Sequence, residues 1–242
     1  MRAETRHSLK EDRFRVSTLQ AAERTAHWTV EHRTSLMVAL AIVLVVVAAG
    51  FGTWSYLTKQ DQRASIELGQ ATRIMEAPIR PAGAPAQPDA PTSYASLQER
   101  SAAAQKELQS IVDKYPHTHT ADIARYMLGV TSTELGNNAQ AEKYLSEVAS
   151  IHNKDLAALA NFALAAVYRK EGKDAQAIAL YKQLIDKPAQ TVGKITAQME
   201  LASLYQSKQQ IVDAKNIYQQ IQKDNPATEA ASLASQKLAQ LK

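Results

Sequence analysis

The stretch NFALAAVYRKEGKDAQAIALYKQLIDKP, Asn161–Pro188, sets two tyrosines and a cluster of charged side chains around one glycine, Gly172. It reads as helix, turn, helix, with the glycine at the bend. The same register returns on both sides. Gly172 is matched by Gly136, 36 residues earlier, and Ala177 by Ala141 at the same offset. Tyr168, Ala177 and Tyr181 return 37 residues later as Tyr205, Ala214 and Tyr218. A helix-turn-helix unit recurring at this period indicates a helical solenoid, in which each unit buries its apolar face against its neighbours.

Composition agrees with an all-α fold. The 242 residues are 45% apolar, enough for a packed core. Only eight glycines and eight prolines interrupt the chain, and five of those prolines (Pro78, Pro81, Pro85, Pro88, Pro91) fall together. The rest is rich in alanine, leucine, glutamine, lysine and glutamate, good helix formers with little to support a sheet. The net charge of +4 comes from seven basic and five acidic residues before Thr34 and 17 basic against 15 acidic after Ser93, so neither part is a polybasic arm for nucleic acid. The chain has no cysteine, which removes disulfides, thiolate catalysis, cysteine-ligated metal clusters and an acylated lipoprotein cysteine.

The units resemble the tetratricopeptide repeat. One supplies Leu128, Gly129, Gly136, Ala141, Leu145 and Val148; the next Leu164, Ala165, Tyr168, Gly172, Ala177, Tyr181, Leu184 and Pro188; the third Leu201, Ala202, Tyr205, Ala214, Tyr218, Ile221 and Pro226. Small residues at Gly129, Ala165 and Ala202, facing Ala141, Ala177 and Ala214, let the paired helices approach, and the large residues between them fill the gaps. Gly172 is expected to end its helix in the left-handed conformation, and Asp174 to cap the next. Gln209 stands where the third unit would have glycine, so that turn is either strained by about 1 kcal/mol or built differently.

An earlier unit is split. Ala104, Leu108, Ile111 and Pro116 repeat the spacing of Ala214, Tyr218, Ile221 and Pro226, and the partner helix is expected around Leu68-Gly69. Between them residues 77–92 form a proline-rich loop read as extended or disordered. The layout expected is thus a tail at 1–33, an apolar helix at 34–58, the first helix of the split repeat at 59–76, and a repeat domain over 93–242 that ends in a capping helix with Leu233, Leu238 and Leu241 inward.

Residues 34–58 carry no charge, and the run Leu36–Leu57 would reach about 33 Å as a helix, against a hydrocarbon core of about 30 Å. Trp28 precedes it, and Trp54 and Tyr56 stand at its far end, where aromatic rings favour the headgroup level. An uncleaved transmembrane helix is the expectation; the alternative is a signal peptide cut near Ala48-Ala49-Gly50, against which stand the long leader and the apolar residues beyond that point. Seven basic residues precede the span and four (Lys59, Arg63, Arg73, Arg80) follow it, which predicts a cytoplasmic amino terminus and the bulk of the chain outside. The leader, with capping-box spacing at Ser8 and Glu11, reads as an interfacial helix or as a polar tail.

No catalytic or phosphate-binding motif is present, and the chain is not read as an enzyme. His117 and His119 could ligate a metal, but no third ligand stands at helical spacing, so they read as a solvated loop and no cofactor is expected. Tyr168, Tyr181, Tyr205 and Tyr218 are read as packing residues. A solenoid of this kind offers a concave face lined by the first helix of each unit; Arg125, Asn161 and Gln198, at equivalent places in three units, are the candidate partner-binding positions there. The order of tail, span, split repeat and further repeats resembles the YfgM-like family, the ancillary subunit of the bacterial SecYEG translocon, whose repeat domain is shared with cell-division coordinator proteins. The resemblance implies a single-pass inner-membrane protein with its repeats in the periplasm, binding translocon or chaperone proteins; an envelope scaffold or assembly factor of the same fold is the alternative.

Overall fold

The computed structural model describes residues 32–81 and 93–241; the expectations for the leader and for most of the proline-rich loop lie outside them. Among the described residues the chain is all-helical: α1 (Arg33–Glu76), α2 (Leu97–Lys114), α3 (His119–Glu134), α4 (Asn138–Ala149), α5 (Lys154–Lys170), α6 (Asp174–Asp186), α7 (Lys194–Ser207), α8 (Ile211–Asp224) and α9 (Glu229–Gln240). A lone parallel bridge joins Ile79 to Tyr94. Two units divide the chain, one ending at Tyr56 and the other beginning at Leu57.

In the first unit α1 is long and apolar enough to cross a membrane, and its large apolar side chains from Leu36 to Trp54 are exposed. In the second unit each helix from α2 to α9 packs on the next in sequence, and α3 also touches α5. The reason is a stripe on each second helix with an alanine, a large residue four positions on and an aliphatic three beyond, all on one helical face. Ala104, Leu108 and Ile111 form it on α2, Ala141, Leu145 and Val148 on α4, Ala177, Tyr181 and Leu184 on α6, and Ala214, Tyr218 and Ile221 on α8; all twelve are buried. The first helices answer with small residues: Gly129, Ala165 and Ala202 are buried, and a Cβ on Gly129 would lie 2.5 Å from Leu145 Cγ. That spacing leaves no room for a side chain.

Three turns share one hydrogen-bond pattern. Gly136, Gly172 and Gln209 have φ of 77°, 73° and 61°, and after each the following N–H reaches back to the carbonyl five residues earlier: Asn137 to Ser132 at 2.8 Å, Lys173 to Tyr168 at 2.8 Å, and Gln210 to Tyr205 at 2.9 Å. This is the Schellman closure, which satisfies helix-end carbonyls. The third turn is therefore built like the others, with Gln209 held in the left-handed region despite its Cβ.

Several expectations are corrected. Asp174 does not cap α6: Lys173 occupies the cap position without a side-chain hydrogen bond, and the Asp174 carboxylate, in the first turn, pairs with Lys208. Gly69 is exposed with open space around it; α1 instead buries Ala64 and Ala71 against Leu108, Ile111, Ala124 and Leu128, because 64, 68 and 71 share a helical face from which 69 is turned away. Of the four repeat tyrosines, Tyr181 and Tyr218 are fully buried, whereas Tyr168 and Tyr205 are half-buried at the cluster edges. Leu233 of the capping helix is also outward, at 42% exposure, and Ala231 and Ala234 take the inward places with Leu241.

Two stability outcomes follow. Replacing Gln209 with glycine removes the left-handed strain of about 1–2 kcal/mol but adds unfolded-state freedom of about 0.4–1 kcal/mol, so chemical denaturation should show a gain of up to about 1.5 kcal/mol; a loss would mean the Gln209 side chain holds the turn. Tyr181→Ala should cost about 3–5 kcal/mol and Tyr168→Ala only about 1 kcal/mol, measured in the same way.

Candidate functional site: the face formed by the first helices

The first helices of successive repeats stand side by side. Arg169 on α5 donates from Nη1 to Glu200 Oε2 and from Nη2 to Ser203 Oγ on α7, both at 3.2 Å, and Lys170 Nζ reaches Thr133 O near the end of α3 at 3.4 Å. A continuous face crosses three repeats as a result. Its ion pair, Arg169 with Glu200, is partly exposed and contributes little to stability.

The candidate positions Arg125, Asn161 and Gln198 do not share an open part of that face. Asn161 and Gln198 are buried, at 9% and 3% exposure, and Asn161 Nδ2 donates to Ala157 O one turn back at 2.9 Å. Arg125 is tied down: it donates to Asp122 Oδ1 at 2.7 Å and to Pro116 O at 2.8 Å, and its Nε lies 3.9 Å from Glu147 Oε2. The cause is helical period. Each of the three precedes the recurring leucine (Leu128, Leu164, Leu201) by three residues and so falls on its inward side.

The next residue in each repeat is turned about 100° away around the helix. Tyr126, Phe162 and Met199 occupy those places and are half-buried, leaving an apolar edge at the surface. Tyr126 packs with Ile123 on the cluster of Leu156, Ala160 and Leu164. The Phe162 ring meets Tyr181 edge-on at 5.9 Å, and Met199 packs on the Ala202 and Tyr218 cluster. Burial pushes the Tyr126 and Tyr218 hydroxyls up, and that of Tyr181 to about 12, so all three are neutral at any physiological pH. The face is apolar and uncharged along this line, with Arg169, Lys170 and Glu200 beside it. Equal spacing in three repeats, stepped one residue from the leucine-based stripe, was the sequence signal for it.

A polar cluster ties the turn inside the third repeat, between α5 and α6, to α4 of the second. Lys173 Nζ donates to Glu142 Oε2 at 2.8 Å and pairs with Glu171 at 3.0 Å, while Tyr168 donates to Glu142 Oε1 at 3.1 Å. The Lys173 ammonium also lies 5.4 Å from the centre of the Tyr168 ring. The hydrogen bond from Lys173 holds the Glu142 carboxyl below its usual range, and the same bond, helped by Glu171, holds Lys173 charged. Each member is satisfied by another, so the cluster works as a strap across the turn. His117 and His119 are exposed at the start of α3, separated by Thr118, whose buried hydroxyl accepts from Ala121 N–H as the helix cap. No group of three His, Asp or Glu residues among those described could hold a metal ion.

Comparison with known proteins bears on the same features. Residues 26–183 match the tetratricopeptide repeat-like domain family and residues 196–228 match the tetratricopeptide repeat. The first match takes in the apolar part of α1 as well as the first three repeats. No curated protein matches the chain. Among solved structures, the putative kinesin light chain of Podosopora anserina, with nearly identical TPR-like repeats, superposes with a TM-score of 0.55 at 18% identity, covering 75% of this chain and 86% of that one. A structure of a variant of the same protein superposes equally well, at TM-score 0.55 and 18% identity, covering 75% of this chain and 85% of that one. At that identity the likeness is one of fold. Domains of this fold are typically non-enzymatic scaffolds that bind other proteins, and no catalytic family is indicated. With the matched family spanning well over half of its length, the chain belongs to the tetratricopeptide repeat-like domain family.

Proposed function

We propose that this protein is a membrane-anchored interaction module whose repeats bind protein partners beside the bilayer. The observation that carries this reading is the run of exposed apolar side chains on α1, which the repeat domain follows in sequence. Leaving Met37, Leu44, Val47 and Phe51 in water would cost on the order of 1.5–3 kcal/mol each, and lipid removes that cost. An aromatic residue at the far end, Trp54, suits the headgroup level. The excess of basic residues before the span favours a cytoplasmic amino terminus and repeats on the outer side of a bacterial inner membrane.

Anchoring then acts through concentration. Restricting the repeats to the membrane raises their encounter with any partner held there, so a modest groove contact suffices. The face of Tyr126, Phe162 and Met199 suits an amphipathic segment, with an apolar stripe for the groove and charges to meet Arg169 and Glu200. A partner at the translocon or in the chaperone network fits the resemblance of the chain's layout to the YfgM-like family. An envelope scaffold in cell division or wall synthesis shares every one of these physical features except the partner's identity.

Alkaline phosphatase fused after Lys242 should be active in intact bacteria, and an inactive fusion with stable expression would reverse the orientation. A photo-crosslinking residue at Phe162 of the intact chain should trap translocon or chaperone proteins, whereas one at exposed Ser146 on α4 should not. Adducts at Phe162 with division or wall-synthesis proteins would transfer the assignment to the scaffold reading, and equal adducts at both positions would remove the face from the mechanism.

A further inference from the structure

A cavity of about 340 Å³ opens at the foot of α5. Ala149 walls it from the end of α4, Ile151 from the turn that follows, Ala157, Ala158 and Asn161 from α5, and Leu184 from the end of α6. Four alanines, including Ala189, make the space, because neighbouring chain segments cannot close over a methyl group as they would over a larger side chain. The loop after α6 forms the remaining wall and is fastened: Asp155 Oδ1 accepts from Gln190 N–H at 2.9 Å, Thr191 Oγ1 donates to Asp155 O at 2.7 Å, and Ala189 N–H reaches Val192 O at 3.1 Å. Val192, 2% exposed, pins it into the core. The cavity is thus part of the rigid frame and is of a size that accepts a small ligand or one or two side chains.

Its charge is one-sided. Lys154 and Lys187 are the ionisable residues of the lining, both exposed at its rim, and neither forms an ion pair among the described residues, unlike Lys114, Lys173, Lys194 and Lys208. Asp155, the neighbouring carboxylate, is directed to the loop backbone. The amides of Gln183 and Asn161 add polarity above an aliphatic floor. An occupant therefore needs an apolar body and a negative group at one side, with the negative group held between two ammonium ions.

We infer that this cavity is a second docking site, beside the line of Tyr126, Phe162 and Met199, for a partner peptide that inserts an aliphatic side chain next to a carboxylate. The aliphatic group meets Ile151 and Leu184 on the floor, and the adjoining aspartate or glutamate meets Lys154 and Lys187 at the rim. The lysines lie on separate elements, the start of α5 and the end of α6, so an acidic peptide spans the third repeat across its helix ends.

The test uses the detergent-solubilised full chain and a fluorescent, end-blocked peptide, Gly-Leu-Glu-Leu-Glu-Gly, followed by anisotropy. The glutamine counterpart should bind at least about tenfold more weakly, as should the acidic peptide to a Lys154→Ala, Lys187→Ala double variant with unchanged helical content. Lys154→Arg with Lys187→Arg should retain binding, and added salt should weaken it in the natural chain. The acidic peptide should also protect Lys154 and Lys187 from amine acylation, read by mass spectrometry. Equal binding of the glutamine peptide, binding indifferent to the lysine pair, or no binding of the acidic peptide overturns the site. Protection of the two lysines by laurate and not by peptide overturns the peptide assignment in favour of a lipid carboxylate. A variant with Met199→Ala should bind this peptide as the natural chain does, and loss of binding there would place the contact on the apolar line of the first helices.

Discussion

The whole repeat domain depends on how closely the two helices of a unit can approach. Gly129 against Leu145 is the limiting case, since a single added carbon would come within 2.5 Å of the leucine. Interaxial distance is set by the side chains at the contact, so small residues on the first helix and an alanine followed by a large residue on the second determine the pairing. Once this distance is set, the large residues (Leu108, Leu145, Tyr181 and Tyr218) fall at the same depth in four successive units. Stacking then follows, because no unit can bury both of its apolar faces by itself.

Turn geometry propagates that pairing along the chain. Two glycines and one glutamine adopt the same left-handed conformation and the same backward hydrogen bond, so the bend belongs to the backbone pattern and glycine only lowers its cost. The Glu142, Tyr168 and Lys173 strap and the Arg169, Glu200 and Ser203 contacts add inter-repeat ties at the surface. These ties are partly solvated and individually weak; the alanine and leucine layers provide most of the stabilisation. What the surface ties contribute is position. They keep the first helices aligned well enough to form one face, on which Tyr126, Phe162 and Met199 recur.

An array of repeats with an apolar face suits the binding of other proteins, and it follows in sequence a helix long and apolar enough to cross a membrane. The cavity between Lys154 and Lys187 uses a different part of the same frame, where the loop after α6 is longer than the turns and is pinned by Val192 and Asp155. The two places differ in chemistry. One is apolar and extended across three repeats, and the other is cationic and lies at the junction of the second and third.

Helix content, the repeat period, the packing alanines and the apolar span were all legible in the sequence, because each depends on local spacing: 3.6 residues per turn, a fixed offset between units, or an uninterrupted apolar run. The same arithmetic places Asn161 and Gln198 inside, since three residues before an inward leucine is itself an inward position. Other features required the fold. Gly69 has the spacing of a packing glycine, yet Ala64 and Ala71 meet the neighbours of α1; Asp174 has the spacing of a cap, yet its carboxylate pairs with Lys208, 34 positions later. Partial exposure of Tyr168 against burial of Tyr181 is likewise a matter of what lies across from each ring. The sequence by itself determined which helices form and how they repeat, because those depend on neighbours along the chain; only the tertiary structure decided which polar side chains are enclosed, which lysines rim a cavity and where that cavity remains, because those depend on groups brought together from distant positions.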